Sequence, residues 1–362
     1  MDNVEYVASI YSKAYYIVLL ILSICAVAAY SRNNRFLNVG IGWPLAIALI
    51  LFLAFRPLTF KYGFGDTPGY AFFFEHMKSQ THIDFKAKDL GYEIISFSLR
   101  DFDVSVLFMF MGALYVVPQL LAAKQLTPTH YGILFLIIVC SFSFWGYGVN
   151  GMRNGAALAL VMLGMVRRNV VLTPVLFVVA ASIHGSALLP ICAYCINFAY
   201  RKPATYMKIW CVCVVLSMFV SNMLTEVLPL QDLIEDKRVA YLSKDFTGEN
   251  SDKFSSTGYR WDFVLYSAIP VILGYRKIVS GAVKDRIYIW LYNTYCMCNA
   301  FWLFTIYVPY NNRFAYLSWF LYPILVAYPF MGDNNRMTRG DENSLRRVIG
   351  ITYLFTFIMW LK

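Results

Sequence analysis

Charge is what this sequence has least of. Lys, Arg, Asp and Glu make up 14% of 362 residues, against about 25% in a soluble globular domain. Apolar residues fill 59% of the chain, where about 45–50% is usual, and the mean hydropathy is +0.55. The shortage of charge excludes a soluble enzyme, a nucleic-acid-binding domain, a disordered tail and a coiled coil. No Walker loop, dinucleotide glycine fingerprint or zinc-protease helix motif is present, so nucleotide chemistry is not expected. Internal repeats, low-complexity segments and a soluble domain are also lacking, and the chain is expected to be a single polytopic membrane domain, 1–362. The eight cysteines all sit in apolar runs. Cys192 and Cys195 spell C-x-x-C, but neither polar flanks nor a second pair at matching spacing accompanies them, as a zinc or redox site would need. They are expected to be small hydrophobes, and neither metal nor cofactor is expected.

Long apolar runs, by contrast, are abundant. A membrane helix needs about 20 mostly apolar residues. Candidate runs lie near 14–30, 41–56, 103–123, 130–148, 152–167, 170–184, 186–200, 209–228, 262–276, 287–308, 313–331 and 347–361. The expected fold is therefore an all-α polytopic integral membrane protein with about twelve transmembrane helices. Two longer loops, 57–102 and 229–261, are expected on one side. The segment before the first run carries Asp2 and Glu5 and only one Lys, the wrong sign for a signal peptide, so that run is expected to be a retained helix.

The net charge of +10 reads as positive charge on the cytoplasmic side of a membrane. With the N-terminus outside, the inside connections hold sixteen Lys and Arg and the short outside segments hold four, namely Lys13, Arg153, Arg313 and Lys362. Both long loops then face outward. One stretch tests this arrangement. Residues 170–200 are apolar except near His184, and a single helix there would invert everything downstream. A break at His184-Gly185 preserves the charge rule, and non-helical backbone at that depth requires surrounding protein or water to satisfy it.

In this topology the unusual polar residues gather on the extracytoplasmic side. Arg153 and Asn154 open the fifth run, within Gly148-Val149-Asn150-Gly151-Met152-Arg153-Asn154-Gly155. Arg313 opens the eleventh, after Asn311 and Asn312, and His184 sits at the expected break. Asp66, Tyr70 and Glu75 lie in the first outer loop, and Arg260 and Asp262 border the second. Asp84, Asp89 and Glu93 read as solvated loop residues. Arginine forks bind diphosphate through paired charge-assisted hydrogen bonds, and a carboxylate or imidazole can take a proton from an attacking hydroxyl. The expectation is that Arg153 and Arg313 hold a diphosphate and that His184 or Asp66 is the base. Arg260, Glu75, Tyr70 and Asn154 are secondary contacts.

Three blocks carry a family resemblance: Asp66-x-x-x-Tyr70; Met152-Arg153-Asn154-Gly155 followed by Ala180-Ala181-Ser182-Ile183-His184-Gly185-Ser186-Ala187-Leu188; and Asn312-Arg313-Phe314-Ala315-Tyr316. In these blocks the chain resembles the EpsG-type, Wzy-like polysaccharide polymerases of bacterial surface-glycan assembly. It departs from them at Asn154, often Gln in the family, and at Ala315, often Ser. The resemblance implies a GT-C-like glycosyltransferase of the bacterial inner membrane that works without a metal. It would polymerise O-antigen or exopolysaccharide repeat units on the periplasmic face, with undecaprenyl-diphosphate-type oligosaccharides as donor and acceptor. The implied partners are that lipid-linked glycan, the bilayer and a chain-length regulator protein, with no nucleic acid. Direct displacement would invert the anomeric centre. Two other readings share the chemistry or the architecture: a lipid-linked oligosaccharide flippase or transporter, and an O-antigen ligase. Transporters place ionisable residues near the bilayer midplane, whereas here they gather at one rim.

Overall fold

The structure, a computed structural model, describes residues 3–227, 259–307, 311–332 and 337–361, the side chains of 220–227 excepted. The described residues form helices and connections, with no strand among them. The helices are α1 (Asn3–Ala29), α2 (Gly42–Ala54), α3 (Thr67–Met77), α4 (Leu90–Leu99), α5 (Val104–Leu126), α6 (Tyr131–Val139), α7 (Phe142–Val149) and α8 (Met152–Arg167). They continue with α9 (Leu172–Ile183), α10 (Leu188–Ala199), α11 (Pro203–Val227), α12 (Trp261–Val279), α13 (Arg286–Phe304), α14 (Asn312–Trp319), α15 (Tyr322–Ala327) and α16 (Arg339–Leu361).

Among the described residues every apolar run of the sequence is helical over most of its length, but not every run is one long helix. Among the described residues three helices, α1, α5 and α16, are long and apolar enough to cross a membrane on their own. A fourth candidate is the pair α6 and α7, bent by 73° at Cys140-Ser141. The run 313–331 is divided into α14, α15 and a 3₁₀ turn at Tyr328–Phe330. These lengths and compositions agree with an integral membrane protein.

The first expected loop, 57–102, differs from expectation because it contains α3 and α4. In α3 the residues Thr67, Tyr70, Ala71, Phe74 and Met77 are buried, a helical stripe at spacings of three and four. The turn residues just before it, with positive φ at Tyr62 and Gly63, obscure that period in the sequence. The second expected loop, 229–261, lies outside the described residues except for 259–261.

The chain divides into two compact units, Met1–Ile191 with Val326–Lys362, and Cys192–Leu325. In the first, α8 is the central helix. Its residues from Gly155 to Val166 are all buried, the pattern of a helix packed on every side. α5 and α9 pack against α8, α2 packs against α5, and α16 packs against α1. The bend between α6 and α7 is supplied from α16, where Thr356 Oγ1 donates to Cys140 O at 2.8 Å. Ser141 Oγ donates to Ile138 O at 2.6 Å.

The second unit is held by buried polar side chains. Asn299 of α13 accepts from Trp210 Nε1 of α11 at 2.7 Å. Its amide nitrogen donates to Ser267 Oγ of α12 at 3.1 Å and to Ser318 Oγ of α14 at 2.9 Å. Trp319 Nε1 also donates to Ser267 Oγ, at 2.8 Å. Asn299, Ser267 and Ser318 are fully buried. Where lipid is as apolar as the side chains, such bonds and close packing hold helices together. Asn299→Leu, similar in size but unable to bond, leaves the Trp210 N–H unsatisfied and takes one bond from each of the two hydroxyls. It should lower stability by about 1–3 kcal/mol, read as a lower melting temperature of the detergent-solubilised protein. An unchanged melting temperature would show that packing alone holds these four helices.

Candidate functional site

The site in the first unit starts from the corner between α7 and α8. A Cβ on Gly155 would stand 2.6 Å from Tyr147 O and 2.9 Å from Tyr147 Cβ. Only glycine allows so tight a return of the chain, and the return puts Arg153 and Asn154 on the first turn of α8. The corner also holds the segment before α3. Asn150 Nδ2 donates to Gly63 O at 3.0 Å, and its Oδ1 accepts from Asp66 N at 3.3 Å. Tyr70 OH donates to Asn150 O at 3.0 Å. Asp66 and Tyr70 are thus tied to the same corner as Arg153.

Arg153 Nη1 donates to Asp89 Oδ2 at 2.7 Å. Its guanidinium carbon lies 5.2 Å from the Tyr92 ring centroid and 5.8 Å from that of Tyr70, within cation–π range. Burial, with Tyr70 adding to it, raises the Tyr92 phenol above its ordinary range, so it stays a neutral hydroxyl. The other carboxylate oxygen of Asp89 accepts from Gly185 N at 3.4 Å. Asp89 therefore connects α8 to the break that follows α9.

That break is where the sequence places it. α9 stops at Ile183, and His184 is extended (φ −157°, ψ 121°) before a 3₁₀ turn, Gly185–Ala187. His184 Nδ1 accepts from Ser186 N at 3.2 Å, capping the turn. Ser186 Oγ lies 2.8 Å from His184 Nδ1 and 2.8 Å from Asn154 Oδ1. A hydroxyl has one hydrogen. The backbone amide already serves Nδ1, so the Ser186 hydrogen goes to Asn154. The hydrogen-bond pattern assigns the neutral imidazole its proton on Nε2, a donor.

Arg153, Asn154, Tyr70 and His184 are thus brought into one network, with Asp66 attached through its backbone. Glu75 stands apart from it: its exposed carboxylate pairs with Lys78 at 2.7 Å on the outward side of α3. In the second unit, Arg260 makes two parallel bonds to Asp262, at 2.9 and 2.8 Å, and lies 3.7 Å from the Phe263 ring. Arg313 opens α14, and Arg313 and Arg260 are both electrostatic neighbours of Tyr316. Asn312 Nδ2 donates to Tyr316 OH at 3.4 Å.

Asp89 corrects the sequence reading. It is not a solvated loop residue, for its side chain is 12% exposed and paired. Tyr92 and Ser186 were likewise not singled out as site residues. The signal for Asp89 lies two residues on. A Cβ on Gly91 would stand 2.4 Å from Ser182 Oγ and 2.9 Å from the Ser182 carbonyl carbon, so α4 touches the end of α9 directly. Among the described residues no three His, Cys, Asp or Glu side chains converge to hold a metal ion.

This contact predicts the effect of a methyl group. Gly91→Ala should force α4 away from α9 and cost about 1–3 kcal/mol. Adding Ser182→Ala should not restore the loss, because the obstructing carbonyl carbon is backbone. Thermal melting of the single and double variants checks this, and full rescue by Ser182→Ala would place the obstruction in the hydroxyl alone.

The chain was compared with known proteins and families. No curated protein and no solved structure matches it. A family model, described as the EpsG family, matches residues 43–362, which include every block that carries the resemblance. The chain belongs to the EpsG family.

Proposed function

We propose that this protein is a membrane glycosyltransferase of the bacterial inner membrane. It polymerises polyprenyl-diphosphate-linked oligosaccharide repeat units on the extracytoplasmic face. Membership of the EpsG family supports a polysaccharide polymerase. The observation that carries the chemistry is Arg153. Its side chain is 27% exposed, is engaged by the Asp89 carboxylate at one corner and lies within cation–π range of two tyrosine rings. A fork held in this way has donors for an incoming phosphate oxygen. The proposed architecture is GT-C-like with about twelve spans, the shorter helices crossing alongside the long ones.

In the proposed step an acceptor hydroxyl attacks the anomeric carbon of the donor glycan. A carbon–oxygen bond to the acceptor forms as the bond to the diphosphate breaks. The electron pair leaves with the diphosphate, and Arg153 stabilises the charge that develops there. The acceptor proton passes to Asp66 as base. The tautomer of His184 fits donation from Nε2 to a substrate oxygen better than proton removal, since its basic nitrogen is bonded to Ser186. Asn154, fixed by Ser186, and Tyr70 orient the sugars. Arg313, with Arg260, supplies a cationic contact for the same class of anion in its own unit. Displacement inverts the anomeric centre.

Deletion of the gene with surface-glycan electrophoresis tests the reaction. Loss of a polymerase leaves single repeat units on the surface. Complete absence of glycan would indicate a flippase, and unattached lipid-linked polymer a ligase.

Substitution separates capping from chemistry at His184. His184→Ala removes a cap worth about 0.5–2 kcal/mol, whereas Asn caps well. His184→Asn is therefore expected at normal levels in the membrane but without polymer. Normal polymer in His184→Asn would reduce His184 to a cap. For the arginines, Lys keeps charge but loses the fork. Arg153→Lys and Arg313→Lys should each lower polymerisation at least about tenfold, the equivalent of about 1.4 kcal/mol. Near-normal chain lengths at equal expression would remove that arginine from the site.

A further inference from the structure

Arg56 follows the end of α2 and is only 5% exposed. Its Nη1 donates to Gly148 O in the last turn of α7 at 2.9 Å, and its Nη2 approaches Met152 Sδ at 3.1 Å. The guanidinium carbon lies 3.9 Å over the Phe108 ring. Its Nε is buried with no hydrogen-bond partner. Among the described residues it makes no ion pair. The contacts of this buried cation are a carbonyl, a thioether and a ring, none of them an anion.

A buried charge is expensive unless an opposite charge or a full set of hydrogen bonds compensates it. The carbonyl end of α7 offsets part of that cost, because helix C-termini are negative. The remainder calls for another purpose, and the surroundings indicate one. The electrostatic neighbours of Arg56 include Tyr70 and Tyr92, the two rings within cation–π range of Arg153. Met152, beside Nη2, is the residue before Arg153. The neighbourhood thus holds two guanidinium groups, one paired with Asp89 and the other with no ion pair among the described residues. Charges in such surroundings are weakly screened and act over several ångströms.

We infer that Arg56 is a positioning charge set behind Arg153, one that favours a doubly phosphorylated lipid headgroup over a singly phosphorylated one without touching it. The inference rests on the diphosphate reading of Arg153. It differs from a structural role in the sign of its effect on stability. Arg56→Gln keeps a donor for Gly148 O but removes the charge. If the charge serves the ligand, the fold should not suffer from losing it, and replacing a buried ion can even stabilise.

The test uses purified full-length protein in detergent, titrated with a short-chain polyprenyl diphosphate and with the monophosphate of the same chain. Arg56→Gln should bind the diphosphate about tenfold more weakly, lose most of its preference over the monophosphate, and melt at the same or a higher temperature without ligand. Arg56→Lys should keep the preference within about threefold, since the charge is retained. An unchanged preference in Arg56→Gln, or a lower melting temperature of its unliganded form, assigns Arg56 to holding the corner between α2 and α7 and overturns the inference. If Arg56→Gln fails to accumulate, Arg56→Lys decides, and a loss of preference beyond threefold overturns it. Failure of the unsubstituted protein to bind the diphosphate would remove the diphosphate reading itself.

Discussion

Away from water, a backbone amide or carbonyl without a partner costs several kcal/mol. The architecture of this chain follows from how it meets that constraint. Unbroken helices meet it internally, and α8, buried along nearly its whole length, does so without help. Breaks must be supplied from elsewhere. At Cys140 the supplier is Thr356 of α16. At His184 the suppliers are the imidazole itself, which takes Ser186 N, and Asp89, which takes Gly185 N. The second of these breaks is built from groups that can also do chemistry. The hydrogen bonds that satisfy the backbone there bring a carboxylate, an imidazole and a hydroxyl beside an arginine.

The electrostatics of this site rest on a shared carboxylate. Asp89 divides its two oxygens between the Arg153 guanidinium and the Gly185 amide. Arg153 keeps part of its surface open, while Arg56, an electrostatic neighbour of both tyrosines, makes no ion pair among the described residues. The second unit uses polar residues differently. Asn299, Ser267 and Ser318 are bonded to one another in full burial, so they stabilise helix packing and offer nothing to a ligand. Arg260, already bonded twice to Asp262, contributes its charge in a partly neutralised form.

Much of this was legible in the amino-acid sequence. Scarce charge and long apolar runs determine an all-helical membrane chain, because no other structure satisfies the backbone in lipid at such lengths. The break at His184 was legible because the positive-inside rule does not tolerate a single helix over 170–200. Arg153 and Asn154 were legible as an arginine and an asparagine beside glycines at the head of an apolar run. The helices α3 and α4 were not, since turn residues precede the first and charged residues surround the second. Asp89 looked like one of several loop acids, and Arg56, the last residue of the run 41–56, carried no signal of its own. What distinguishes them is depth and partner, properties that depend on residues 64 and 92 positions away in the chain. The sequence by itself determined the class of structure and the helix break, because hydropathy and charge act locally. Only the tertiary structure decided which carboxylate meets Arg153, which hydroxyl meets Asn154, and which arginine makes no ion pair among the described residues, because each is settled by contact between helices that the chain order does not bring together.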